Sequence, residues 1–230
     1  MPIGRSGAIR APPYLRKSTR RLAPSASHAD RQIWRAHSPR VLLFLAVPHL
    51  ILLNGPPSSG KSTLAERWVL GRPVALNLDI DVIRGLLGAW DATPDGGRAA
   101  LKLAIAMAST HLTDGYDVIV PQFLARESFI TELETLARAV RARFVEIALI
   151  VSREETLGAF ALRSVEPENQ QHRDAHASLE RLGGMSILGE MHDEFMQLLD
   201  TRPSAHRIDV VRGDVEATLR LLESVIDSTF

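Results

Sequence analysis

Two phrases in the chain, LNGPPSSGKST at residues 53–63 and DIDVIR at 79–84, hold residue types at the spacings that chemistry on phosphate requires. The first satisfies G-x-x-x-x-G-K-[ST] with Gly55, Pro56, Pro57, Ser58, Ser59, Gly60, Lys61 and Ser62, and Thr63 follows. Two glycines let the backbone curl until successive N–H groups converge, and a helix opening just beyond them adds the positive end of its dipole. On this reading Lys61 reaches the β- and γ-phosphate oxygens of a nucleoside triphosphate, and the Ser62 hydroxyl holds a Mg²⁺ ion bridging them. The plainer reading is a Gly/Ser turn joining a strand to a helix. A cradle alone is silent on whether phosphate passes to water or to an acceptor.

The second phrase bears on that choice. Asp79 and Asp81 are two residues apart, and if a helix starts after Asp79 then Arg84 lies one turn beyond Asp81 on the same face. Asp81 can then accept the proton of an acceptor hydroxyl, while Arg84 binds the acceptor or stabilises transferring charge. Against this stands the reading of both aspartates as helix N-caps and of Arg84 as a solvated charge. Spacing leaves the two open.

The elements that must position these residues follow from pattern. HLILLNG (49–55) is a short apolar run ending in glycine, which suits a buried parallel strand. Helix is expected over 62–70, strand over 73–79, and helix over 96–115 with Leu101, Ile105 and Ala108 on its apolar face and a stop at Asp114-Gly115. Strand follows over 116–122, helix over 127–143 and strand over 144–152, after which Ser152 and Glu155 form a capping box. Residues 164–184 are polar and weakly periodic, which suits a mobile cover. A helix over 185–200, a fifth strand over 206–211 and a last helix capped by Asp214 complete the chain. Five strands separated by helices imply an α/β fold, a three-layer sandwich on a five-stranded parallel sheet.

Composition bounds the rest. The 230 residues suit one α/β domain, here 41–230, preceded by a tail at 1–40. That tail holds nine Arg and Lys against the single acid Asp30, and since formal charge is zero overall, the domain is acidic. Disorder is the compositional reading of the tail, with an organellar transit peptide and an upstream mis-start as the others. An acidic domain speaks against nucleic acid as a partner. With no cysteine, thiol nucleophiles and zinc-thiolate sites are excluded. The apolar run 41–53 is too short, and too interrupted by Pro48 and His49, to span a membrane, so a cytoplasmic setting is expected.

LILLNGPPSSGKST followed by DIDVIR, with Asp81 twenty residues after Lys61, resembles the small P-loop kinases: chloramphenicol phosphotransferases, zeta-type toxins, gluconate kinases and the kinase module of polynucleotide kinases. The resemblance covers roughly residues 49–225 and is specific at the cradle and at Asp81. It implies a P-loop NTPase fold, ATP and Mg²⁺ as cofactors, Asp81 as general base and Arg84 on the acceptor. It further implies a lid over 164–184 whose arginines close on phosphate, best matched by Arg163, with Arg153 and Arg173 as weaker matches. Several relatives carry VIVD after the third strand where this chain has VIVPQ, so Pro121 and Gln122 replace an acid that commonly supports Mg²⁺. That duty then falls to Asp79, with Ser62, or to Asp81 or water. Gln122 is left to bond the acceptor or to be a surface amide.

The expectation is therefore a kinase that moves the γ-phosphoryl group of ATP to a hydroxyl of a small-molecule or nucleotide-like acceptor. Its rivals are a zeta-type toxin acting on a nucleotide sugar, a nucleotide-binding regulator or NTPase without acceptor, and a nucleic-acid 5′-hydroxyl kinase. Trp90, Asp91, Asp95 and Arg98 follow Arg84 and are expected to border the acceptor pocket. His172 and His176 are expected on the lid surface.

Overall fold

Strand β1, His49–Asn54, is buried along its whole length, as its apolar sequence requires. In the computed structural model, which describes residues 47–92 and 95–229, it is the centre of a five-stranded sheet with β2 (Leu76–Asn77), β3 (Val118–Gln122), β4 (Arg143–Ile150) and β5 (His206–Asp209). The order is β2-β3-β1-β4-β5 and every pairing is parallel, as expected for the α/β fold. The basic tail and its three readings lie outside the described residues.

Period-two alternation divides the core between the two faces of the sheet. Leu50, Leu52, Val118 and Val120 pack against α2 (Ile80–Gly85), α3 (Asp95–Thr113) and α4 (Glu127–Val140). Ile51, Leu53, Ile119, Val145, Ile147 and Leu149 face α1 (Lys61–Leu70) and α8 (Val215–Asp227). Burying each such Leu or Ile is worth about 1.5–3 kcal/mol. The stripe that α3 turns inward is Ala100, Ala104, Ala108 and Leu112, one residue round from the Leu101 and Ile105 expected, which pack at its margin. Small side chains at every fourth position bring the helix axis close to the sheet, and the larger residues fill the flanks.

Two further expectations are corrected. The second strand, expected over 73–79, is in register only at Leu76 and Asn77, with one further bond from the Leu78 N–H to the Ile119 carbonyl, before the chain turns into α2. The polar cover over 164–184 is largely a helix, α6 (Gln170–Leu182), opened by the Asn169 side chain, which accepts from the backbone N–H of His172 at 2.9 Å. One apolar contact seats it, for Leu179 is buried with Phe160 of α5 (Arg153–Val165) and Leu188 of α7 (Met185–Asp200). The capping box at Ser152 and Glu155 and the Asp214 cap form as the sequence predicts. No helix among the described residues is long and apolar enough to cross a membrane.

The turn after α7 is fixed by charge. Arg202, 7% exposed, meets Glu146 of β4, itself 4% exposed, through Nε at 2.7 and 3.0 Å. Its Nη1 donates to Glu127 at 3.1 Å and its Nη2 to Glu134, both on α4. One guanidinium thus ties α4, β4 and the chain leading into β5. Burial pushes the Glu146 carboxyl above the usual range, partly opposed by Arg202, while its carboxylates raise Arg202. Removing the cation leaves a buried carboxylate unpaired, and Arg202→Met is expected to cost about 3–5 kcal/mol at pH 7. Because Glu146 binds a proton more readily folded than unfolded, acidification stabilises the variant, so part of the loss returns between pH 7 and pH 5. Urea unfolding at both pH values measures this; an equal loss at the two would show that Glu146 is not the stranded charge.

Candidate functional site

The cradle begins where β1 ends. Asn54 accepts from the N–H of Gly55 and of Leu124, each at 2.9 Å, and donates to the Leu124 carbonyl at 3.0 Å, so its amide locks the β3–α4 loop to the root of the cradle. Nothing but hydrogen fits at Gly55, where a Cβ would stand 2.9 Å from Ser59 Oγ and 3.0 Å from Leu149 Cβ. Gly60 (φ 88°) and Ser58 (φ 64°) turn the chain left-handed, the backbone condition for N–H groups that converge on an anion. Helix α1 then opens at Lys61 without any side-chain cap, which leaves its first N–H groups for a ligand. Ser58 Oγ is buried with no hydrogen-bond partner. An uncapped helix start beside an orphaned hydroxyl fits a phosphate group.

Lys61 lies back over the loop, its Nζ donating to the Pro56 carbonyl at 2.8 Å, with Ser59 Oγ at 3.4 Å. Burial, then repulsion from Arg163, lowers Lys61 to about 7, against the attraction of Asp81 and Asp79. The cationic form lacks a near counter-charge that a phosphate would supply.

Asp79 and Asp81 take different parts. Asp79 is the N-cap of α2, its Oδ1 accepting from the N–H of Asp81 at 2.9 Å and of Val82 at 3.4 Å. Its Oδ2 accepts from Ser62 Oγ at 3.3 Å, so a hydroxyl and a carboxylate face one another as a Mg²⁺ ion would need. Burial, then the neighbouring Asp81, raises the Asp79 carboxyl, against the bonds from α2 and Ser62. Asp81 caps nothing; its Oδ1 pairs with Arg84 Nη1 at 2.7 Å. The capping alternative therefore holds for Asp79 and not for Asp81, and Arg84 is no solvated charge, since its guanidinium also lies 5.2 Å from the Trp90 ring.

Of the three arginines at the cover, the structure brings only Arg163 to this group. It stacks 5.1 Å over Phe160, and burial, opposed by Glu168 and Asp81, lowers its pKa. Arg153 lies on Gly189 and pairs with Asp193 at 3.6 Å, while Arg173 bonds Gln170 at 3.0 Å on an exposed turn. His172 and His176 are half-buried on the cover: both Nδ1 atoms are enclosed, and the His176 ring is 6.4 Å from Phe160. Gln122 closes β3 in register with Asn54, and its Oε1 is buried without a partner, so it is not a surface amide.

Two hollows flank the cradle. One, of about 140 Å³, lies between Ser59 and Thr63 on the cradle side and Val210, Val211, Arg212 and Thr218 beyond β5. Sequence reasoning missed this wall; its signal is the V-V-R-G-D turn between the last strand and the Asp214 cap. The other joins Asp81, Arg84 and Trp90 to Gln171, Asp174 and Ser178 of α6. A neighbouring hollow shares Trp90 and Ser178 with it and holds Asp91, which pairs with Arg181 at 3.6 Å. Asp95 and Arg98 pair with one another on the exposed start of α3.

The AAA domain family profile matches residues 50–182, from β1 to the end of α6. No curated protein matches the chain. Solved structures share its fold. A kinase candidate from Chloroflexus aurantiacus J-10-fl aligns with TM-score 0.57 and 14% identity over 80% of this chain and 98% of its own. The tunicamycin resistance protein of Deinococcus radiodurans gives TM-score 0.53 and 15% identity over 80% and 96%. A chain of the Pnkp1/Rnl/Hen1 RNA repair complex gives 0.54 and 16% over 69% of this chain and 47% of its own. The matched span takes in more than half of the chain together with the cradle, α2 and the cover, and the protein belongs to the AAA domain family as a P-loop, nucleotide-binding domain.

Proposed function

We propose that the protein is an ATP- and Mg²⁺-dependent kinase that transfers the γ-phosphoryl group to a hydroxyl of a small acceptor. The observation that carries this is the division of labour between two aspartates: Asp79 holds the helix and faces Ser62, while Asp81 stands two residues on, uncommitted to a cap, at the mouth of a separate cleft. A protein that only bound nucleotide would need the first and not the second. The likeness in fold to a kinase candidate and to a resistance protein agrees with the reading.

Bound Mg²⁺-ATP supplies the phosphoryl group and the electrophilic metal. The cradle N–H groups and Lys61 hold the phosphates, and Ser62 with Asp79 would hold the metal. Asp81 takes the proton from the acceptor hydroxyl as its oxygen bonds to phosphorus, and Arg84 orients Asp81 through its ion pair. Arg163 brings a second cation toward the transferring group from the cover side and excludes water there. A second reading, a nucleotide-binding regulator, is favoured by the lack of an acid after the third strand, where Pro121 and Gln122 stand.

Asp81→Asn is expected to lower kcat by about 10²–10⁴ while the nucleotide Kd is unchanged. An unchanged rate would favour the regulator. Asp79 separates into its two oxygens: Asp79→Asn keeps the cap and loses the Mg²⁺ dependence of nucleotide affinity. Asp79→Ala loses both, with a further loss of about 1 kcal/mol in stability. Calorimetric titration of nucleotide with and without Mg²⁺, beside thermal melts, reads the two effects apart.

A further inference from the structure

We infer that the acceptor is a sugar or aminosugar ring bearing no phosphate, seated against Trp90 between α2 and α6 with one hydroxyl on Asp81. The inference rests on the phosphotransfer reading and narrows its acceptor.

Two hollows meet at Trp90 and Ser178. Trp90 and Ser178 line both an inner chamber of about 80 Å³, which holds Asp81, Arg84, Gln171 and Asp174, and a wider one of about 460 Å³ that reaches Arg181 and Leu182. The inner volume suits one hydroxyl-bearing edge of a ring, and the outer volume suits whatever the ring is attached to. Its charge is the discriminating feature. The two guanidinium groups along the cleft are already committed, Arg84 to Asp81 at 2.7 Å and Arg181 to Asp91 at 3.6 Å, while Asp174 adds a further carboxylate. The lining is thus net negative. A phosphorylated acceptor or a nucleic-acid end would need cations to replace its water and counterions, and here it meets carboxylates.

What the lining does offer is acceptors of hydrogen bonds and an indole. The second oxygens of Asp81 and Asp174, whose Oδ1 atoms meet Arg84 and Gln170, with the Gln171 amide and the Ser178 hydroxyl, suit a molecule rich in O–H or ammonium donors. Trp90 offers a flat apolar body against which the C–H face of a ring can lie. In the transfer, the ring hydroxyl gives its proton to Asp81, its oxygen forms the new bond to the γ-phosphorus of ATP, and the bond to the β–γ bridging oxygen breaks to leave ADP. Because Gln171, Asp174 and Ser178 belong to the cover helix, the acceptor would itself complete the contact between α2 and α6.

The test is ATP consumption by the full-length chain with Mg²⁺. D-glucose, N-acetylglucosamine and kanamycin are compared with glucose 6-phosphate, UDP-N-acetylglucosamine and a 5′-hydroxyl oligonucleotide. The expected result is stimulation by a member of the first set and by none of the second, the arms within the first set separating a free sugar from a polycationic aminosugar. For that acceptor, Trp90→Ala raises KM about tenfold and Trp90→Phe restores most of it, with ATP affinity unchanged in both variants as the check on folding. Stimulation only by phosphate-bearing probes or the oligonucleotide overturns the acceptor class and leaves phosphotransfer standing. ATP binding with no stimulation by any probe overturns both. A KM indifferent to Trp90 overturns the seat.

Discussion

Asp79 directs its two carboxylate oxygens to different elements, and the order of the site depends on it. Oδ1 receives the first N–H groups of α2, which fixes the angle at which the chain leaves the sheet. Oδ2 meets the hydroxyl of Ser62 in the first turn of α1. One side chain therefore sets the distance between the helix that opens the phosphate cradle and the helix that carries Asp81 and Arg84. Charge at Asp79 also offsets the concentration of cations around Lys61, and its raised carboxyl pKa shows what enclosure beside Asp81 costs.

The four groups Lys61, Arg163, Asp79 and Asp81 form a balanced set of two cations and two carboxylates. Lys61 and Arg163 repel one another, as do Asp79 and Asp81, and burial acts against charge on Lys61, Arg163 and Asp79. Such an arrangement is preorganised for a polyanion with its metal, since each repulsion is relieved by a charge the ligand brings. The rest of the fold holds this set in place through neutral means: the Asn54 amide at the end of β1, the Leu179 contact beneath α6, and the apolar layers on both faces of the sheet.

What could be read from the sequence was encoded locally. Gly55 and Gly60 announce the cradle because their backbone surroundings tolerate little else, and Ser152-Glu155 and Asp214 announce helix starts because a cap is made within four residues. The roles of Asp79 and Asp81 were undecided because capping and catalysis ask for the same residue, and only the positions of Ser62 and Arg84 separate them. The Arg202 cluster joins residues far apart in the chain, so no window of sequence shows it; the wall at Val210–Thr218 is marked by the V-V-R-G-D turn, but only the fold brings it to Ser59 and Thr63. Helix α6 carries no apolar stripe in its sequence because one buried leucine and the His176 ring near Phe160 seat it.

Pro121 shows how the site is released from the sheet. Strand β2 pairs with β3 through Leu76 N–H to the Asp117 carbonyl at 2.9 Å and Leu78 N–H to the Ile119 carbonyl at 2.8 Å. The next rung in that register would set Asp79 opposite residue 121 and would draw on its N–H, which proline lacks. With no donor to continue the ladder, the strand ends and the following residues wind into α2. The pyrrolidine ring thus acts as a zipper stop: by refusing one bond to the sheet it frees Asp79 to turn toward Ser62, and lets the chain carry Asp81 up to the cleft instead of leaving it as one more residue of a strand.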